Sequence, residues 1–206
     1  MAACDFGCGS GFWVIPLAKK LEKGKVYAID ILEEPLSALY SRARLEKLSN
    51  IETIRANVEK GTSLAQNSID LVLMTNLLFQ VEDKKAVLVE AKRILKKTGE
   101  ILVVDWSPKA PFGPKKERVT PDSVKKMAKD VKLKLKKQFL AGLYHYGLVF
   151  TKNQRRRKIN LAEARSAKRA LPSSSPSLSL RESSVNEETF LYFINYFFRR
   201  SNIFFF

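Results

Sequence analysis

Residues 2–11 read Ala2-Ala3-Cys4-Asp5-Phe6-Gly7-Cys8-Gly9-Ser10-Gly11. A short apolar run ends in an acid, and glycine then recurs at every second position. This is the pattern of a buried strand, a glycine loop and a helix starting near Phe12. Alternate glycines let the backbone turn sharply and keep side chains out of a ligand's way. The helix behind them would aim its free N–H groups and positive end at whatever lies over the loop. The spacing Gly7-x-Gly9-x-Gly11 differs from the G-x-G-x-x-G of dinucleotide dehydrogenases, and Asp5 stands two residues before the first glycine. Taken alone, the loop is equally a tight strand-to-helix turn, so the rest of the chain has to decide.

The chain beyond it alternates regularly. Phe12–Glu22 carries apolar residues at helical spacing, with Lys23-Gly24 as the stop signal. Lys25–Ile29 predicts a strand, Pro35–Leu48 a helix, and Ile51–Arg55 a strand. Ile69–Thr75 is a continuous apolar run, as expected for a strand covered on both faces. Lys84–Lys97 has an apolar stripe of Val87, Leu88, Ala91, Ile94 and Leu95. Lys96, Lys97 and Gly99 suit a helix C-terminus. Glu100–Trp106 is a further buried strand, and Ser107–Arg118 a Pro/Gly-rich loop. Thr120 reads as an N-cap with Pro121 at the first helical position. Val131–Phe139 and Tyr146–Thr151, joined by a short turn around Gly142, predict two antiparallel strands. Strand and helix in this alternation predict an α/β fold, Rossmann-like and doubly wound. Its sheet would be mostly parallel, of about seven strands with an antiparallel last strand. Ligands in such sheets bind at the carboxyl ends of the strands, at the switch point.

The 206 residues suffice for one domain and an appendage. Residues 1–152 carry 22 Lys and 5 Arg against 17 acids, net +10; residues 153–206 carry 2 Lys and 8 Arg against 4 Glu, net +6. Seven of the 13 phenylalanines fall in Phe190–Phe206. We therefore place a boundary near residue 152, followed by a tail expected to be poorly ordered or partly helical. Within that tail, Pro172–Ser179 is Ser/Pro-rich and Asn153–Ala170 suits a basic amphipathic helix. The overall charge of +16 attracts anions, nucleic acid included. Cys4 and Cys8, with His145 as the lone histidine, argue against a structural zinc site and call for no oxidising compartment. The start has no secretory pattern, and no run approaches the roughly 20 apolar residues that span a bilayer. A cytoplasmic protein is expected.

Asp30 ends the second strand, where a carboxylate can accept hydrogen bonds from the paired hydroxyls of a ribose; an Asp entering the next helix is the plainer reading. Ile31 could flank a flat base. Asn57, after the third strand, offers an amide to a base edge, although a turn-forming Asn explains it as well. Tyr144, His145 and Tyr146 are general-base candidates by residue type, but flanking a strand is reason enough for them to be there.

This ordered set resembles the class I S-adenosylmethionine-dependent methyltransferases, in the branch that includes quinone-biosynthesis and related small-molecule enzymes. The residues that carry it are Cys4–Gly11, Val26–Asp30, Ala56-Asn57-Val58, Ser68–Val72 and the run Glu90–Asp105, so it covers residues 1–152. The resemblance implies S-adenosylmethionine as cofactor. It implies that Asp5, Gly7 and Gly9 surround the methionine part, Asp30 the ribose and Ile31 the adenine. Asn57 and Val58 would meet the base, Asn57 standing where many relatives have Asp. Asn76, after the fourth strand, would face cofactor and substrate. Asn76-Leu77-Leu78-Phe79 lacks the [Asn/Asp]-Pro-Pro-aromatic signature of enzymes that methylate nucleobase amino groups. The implied reaction is in-line methyl transfer to an acceptor, expected to be a small molecule, with no catalytic residue or metal assigned. The alternative expectation is an RNA-associated protein that uses its basic surface and tail. Relatives also carry a complete first strand and a preceding helix. Met1–Phe6 supplies about 20 Å of strand at most, so the sequence is expected to start downstream of a longer one or to belong to a truncated member.

Overall fold

The computed structural model describes residues 1–111, 113–114 and 117–153. In chain order its elements are β1 (Ala2–Phe6), α1 (Val14–Lys20), β2 (Lys25–Asp30), α2 (Glu33–Leu45), β3 (Ile51–Arg55) and β4 (Ile69–Thr75). Then follow α3 (Lys84–Ile94), β5 (Leu95–Trp106), α4 (Pro121–Asp130), β6 (Leu133–Leu140) and β7 (His145–Lys152). One seven-stranded sheet runs in the order β3-β2-β1-β4-β5-β7-β6. The first five strands are mutually parallel, and β7 lies antiparallel to both β5 and β6. The strand order reverses between β1 and β4, which makes their carboxyl ends the switch point. Right-handed crossovers then put α1 and α2 on one face and α3 on the other, where α3 packs with α4. The fold class expected from the alternation is the one observed.

The core explains which runs became strands. Cys4, Phe6, Ile29, Val72, Met74, Ile101, Val103, Leu148 and Phe150 are buried in one cluster with Val87, Leu88, Ala91 and Ile94 of α3. Burying such side chains removes roughly 25 cal/mol per Å² of apolar surface from water. The central strands β1 and β4 and the Ile101–Val104 stretch of β5 are therefore mostly apolar, whereas edge strand β6 is exposed at most positions.

Several boundaries differ from the expectations, each for a local reason. α1 begins at Val14 rather than near Phe12 and is only seven residues long. Gly11, at φ +85°, cannot be a helical residue, and residues 9–13 form turns. α2 stops at Leu45 because Lys47 takes the left-handed conformation, φ +55°. The amides of Lys47 and Leu48 then return to the carbonyls of Arg44 and Ala43 at 3.1 and 2.9 Å. The expected helix end at Lys96–Gly99 is a correction. The chain turns extended at Leu95 and those residues enter β5. Gly99 is there for closeness: a Cβ on it would meet the carbonyl oxygens of Asp70 and Ile69 at 2.8 and 3.0 Å. Thr120 does cap α4, its hydroxyl accepting from the Ser123 N–H at 3.1 Å.

Among the described residues, no helix is long and apolar enough to cross a membrane. The readings made for residues 154–206, including the basic helix and the phenylalanine-rich end, lie outside the described residues.

Candidate cofactor site at the sheet's carboxyl rim

The tips of the first three parallel strands are laced together by backbone hydrogen bonds. The amides of Gly7 and Cys8 donate to the Ile29 carbonyl at 2.8 and 2.9 Å. The Gly9 amide donates to Oδ2 of Asp30 at 2.9 Å, and the Leu32 amide to Oδ1 at 3.1 Å. The Ala56 amide closes the third tip on the Asp30 carbonyl at 2.9 Å. The glycine loop and Asp30, 25 residues apart from Asp5 to Asp30 in sequence, thus form one structure. Each Asp30 oxygen keeps lone-pair capacity for a further donor.

The three loop glycines are held at φ +69°, +52° and +85°, in the region that L side chains avoid. What surrounds them differs. A Cβ on Gly7 would meet Leu77 Cδ1 at 2.8 Å, and one on Gly11 would collide with Leu39. A Cβ on Gly9 would meet nothing within 4 Å. Gly7 and Gly11 are therefore locked by packing, while Gly9 faces open space. The Ser10 carbonyl is held from α2 by Arg42 Nη1 at 2.8 Å.

Beneath this loop Asp5 is completely buried, and neither of its carboxylate oxygens has a hydrogen-bond partner. Burial first, and the neighbouring Asp30 carboxylate second, together push its pKa up to about 8. Asp5 is thus mostly neutral at neutral pH, and the site has an acidic floor rather than a basic one. Four of the loop's amides, those of Gly7, Cys8, Gly9 and Gly11, meanwhile donate within the rim. A phosphate-binding loop offers free N–H groups to an anion. This loop instead offers carboxylates, which suits a cation and hydroxyl donors.

Asn76 closes β4 in a left-handed conformation, φ +52°, with its side-chain oxygen buried and lacking a partner. Leu77 beside it is the residue against Gly7, so the β1 and β4 tips meet. Asp105, near the end of β5, orders the turn that follows Asn76: its Oδ2 accepts from the Leu78 amide at 3.1 Å and its Oδ1 from Trp106 at 2.8 Å. Burial raises its pKa to about 6, against the pull of those N–H groups.

The remaining expected residues are placed less uniformly. Ile31, just past β2, is 54 % exposed. Asn57 follows the β3 tip, but its side-chain oxygen already accepts from the Glu59 amide at 2.9 Å, so a turn-forming role is present in full. Val58 is buried in the core, and only its backbone is left for a ligand. Among the base candidates, Tyr146 spends its hydroxyl on the Val119 carbonyl at 2.8 Å, and burial raises its pKa. His145 packs against Trp106 with ring centroids 4.2 Å apart, and burial lowers its pKa to about 4.

Sequence reading missed the clamp on the loop after β3. Glu90, buried on α3, accepts from the amide and hydroxyl of Thr62 and from Arg93 at 2.5–2.8 Å. Arg93 in turn donates to the Thr62 and Leu64 carbonyls. Burial alone would raise the Glu90 pKa, but these donors lower it. The signal was there: Glu90 is an acid inside an apolar helix stripe, as Asp105 is an acid inside an apolar strand. Among the described residues, no group of three or more His, Cys, Asp or Glu side chains could hold a metal ion.

Comparison with known proteins bears on the family and the fold. Residues 1–164 match the family model described as a methyltransferase domain. The demethylmenaquinone methyltransferase of Bacillus mycoides is 31 % identical over 106 residues, 51 % of this chain and 44 % of that protein. Its counterpart in Bacillus licheniformis is 31 % identical over 112 residues, 54 % and 47 %. The chain thus spans less than half the length of these curated relatives. The crystal structure of a SAM-dependent methyltransferase from Aquifex aeolicus superposes with a TM-score of 0.69 at 27 % identity, covering 73 % of this chain and 81 % of that one. A geranyl diphosphate C-methyltransferase from Streptomyces coelicolor shares the fold at TM-score 0.62 and 12 % identity.

Proposed function

The chain belongs to the methyltransferase-domain family, whose model spans residues 1–164, and from that premise we propose that it binds S-adenosylmethionine at the carboxyl rim and transfers its methyl group to a small-molecule acceptor. The observation that carries this reading is the acidic floor. Asp5, buried without a partner beneath a loop that spends the amides of Gly7, Cys8, Gly9 and Gly11 internally, is better matched by a cationic amino-acid moiety than by a pyrophosphate. Asp30 would hold the ribose hydroxyls with its remaining lone pairs, and exposed Ile31 would lie on the adenine. Asn57 and the Val58 backbone would meet the base edge, and the unpartnered Asn76 oxygen would accept from the ligand. Gly9 leaves the backbone bare for close approach, and Gly7, packed on Leu77, holds the turn beside it.

The cofactor supplies a methyl group already activated on a sulfonium, so transfer is an in-line displacement that needs alignment more than acid–base help. The chain's part is to orient and to exclude water. Asp105 and Glu90 fix the loops after β4 and β3, and Arg42 fixes the glycine loop. Tyr146 is tied to Val119, so we assign it no proton transfer. The named relatives support a demethylmenaquinone-like acceptor as the first to try, and a cytoplasmic location follows the cysteine usage.

The net charge of +16 favours one second reading, RNA methylation or RNA association. Labelled S-adenosylmethionine offered with demethylmenaquinone or with RNA tests both. Label appearing in the quinone supports the first reading; label in RNA, or RNA binding that weakens steeply with salt while cofactor binding is absent, supports the second.

A further inference from the structure

Leu140 and Leu143 are the most exposed large apolar side chains among the described residues, at 84 % and 87 %. Both sit at the tip joining β6 to β7, a tight turn closed by the Ala141 amide on the His145 carbonyl at 3.0 Å and by Gly142 at φ +80°. The tip projects at the rim where β5 ends, since Trp106 is paired with His145 and the Ser107 amide bonds the Tyr144 carbonyl at 2.7 Å. Nothing described packs on the two leucines, and leaving them in water forfeits burial.

The strand leading to this tip is strongly basic. Residues 125–137, from α4 through β6, contain seven lysines and one acid, Asp130. Lys125 and Lys136 are paired with Asp122 and Glu100. Among the described residues no ion pair is drawn to Lys126, Lys129, Lys132, Lys134 or Lys137. Lysines on an edge strand guard against sheet-to-sheet pairing, but that purpose gives no reason for two bare leucines at its end.

We propose that this hairpin is a peripheral docking element for an anionic bilayer surface: Leu140 and Leu143 enter the headgroup–acyl boundary while the lysines at the tip end of β6, Lys137 foremost at about 10 Å of strand from Leu140, meet lipid phosphates and the more distant ones add long-range attraction. Apolar insertion combined with a basic flank is the physical recipe for reversible interfacial binding. A nucleic acid would use the lysines and leave the leucines unsatisfied. Docking in this way turns the carboxyl rim toward the bilayer. The proposal does not depend on the methyltransferase reading, because vesicle binding is measured without cofactor.

Sedimentation of the full chain with vesicles tests it, using phosphatidylcholine alone and phosphatidylcholine mixed with phosphatidylglycerol. The chain should partition to the mixed vesicles and much less to the neutral ones. Leu140→Ser with Leu143→Ser should lower that partition by roughly ten- to hundredfold, with an unchanged melting temperature because neither leucine is packed. Lys137→Gln, close to the tip, should lower it too and flatten its salt dependence, and more so than Lys134→Gln at the far end of β6. Partition that survives the leucine changes overturns the proposal, since another part of the chain then does the binding. So does failure to bind the mixed vesicles, or RNA binding that is lost with the lysines while vesicle binding is absent.

Discussion

Replacing Asp5 with Asn should separate stability from binding, because the same carboxyl group serves the two in opposite directions. In the unfolded chain Asp5 titrates near 3.8; in the folded protein it is fully buried, unpartnered and raised to about 8. Between those values the native state holds a proton that the unfolded state has released. Stability contributed at this site therefore falls as pH rises from about 4 to about 8 and is flat outside that window. At pH 7 the interval is roughly three pH units at about 1.4 kcal/mol each, or about 4 kcal/mol. Asn cannot ionise and escapes this slope. Urea denaturation of both proteins at pH 4.5 and pH 8 reads most of the effect, since titrating groups not coupled to Asp5 cancel in the difference. The variant should gain on wild type by a few kcal/mol between the two pH values. Its affinity for S-adenosylhomocysteine should meanwhile drop, as the carboxyl that could give up its proton to face the ligand's ammonium is gone. If the two stability curves run parallel with pH, Asp5 is not a protonated, unpartnered acid in the free protein.

The loop glycines should divide by role. Gly11→Ala meets both the left-handed φ and Leu39, and should cost stability by about 2 kcal/mol or more in chemical denaturation. Gly9→Ala meets only the φ strain, about 1 kcal/mol; its methyl would stand in the open space, so ligand affinity should fall further than stability does. Equal stability losses would contradict the packing seen at Gly11. Glu90→Gln removes the carboxylate from Arg93 and Thr62 and should destabilise by about 1.5–3 kcal/mol. Amide exchange of Thr62 should speed up with it, and unchanged protection there would mean that the clamp does not hold the loop.

Periodicity and punctuation were enough for the order of elements, because strands buried on both faces must be apolar throughout and their connecting helices need a stripe. Boundaries were less legible where a single residue broke its own rule. Lys47 adopts a left-handed turn that glycine usually fills, and Gly99, which looks like a helix stop, is instead a point of close approach to β4. In the site, Asp5, Asp30 and the glycines could be picked out because chemistry-bearing residues at strand tips are conspicuous. The protonation of Asp5 could not, since it depends on burial and on Asp30 lying beside it in space. The expected helix start near Phe12 was wrong for a related reason: Gly11, at φ +85°, delays α1 to Val14. Asn57 looks like a ligand contact and a turn residue in sequence, and its bond to the Glu59 amide shows only the second.

The central claim is that the rim formed by the glycine loop and Asp30 is a site for a cationic, ribose-bearing cofactor. Calorimetric titration of S-adenosylhomocysteine into wild type and Asp30→Ala tests it most directly, with NAD as the comparison ligand. The account predicts one saturable site for S-adenosylhomocysteine, no heat with NAD, and a loss of about 1–3 kcal/mol of binding in the variant. Tight NAD binding, or S-adenosylhomocysteine binding that Asp30→Ala leaves untouched, would contradict it.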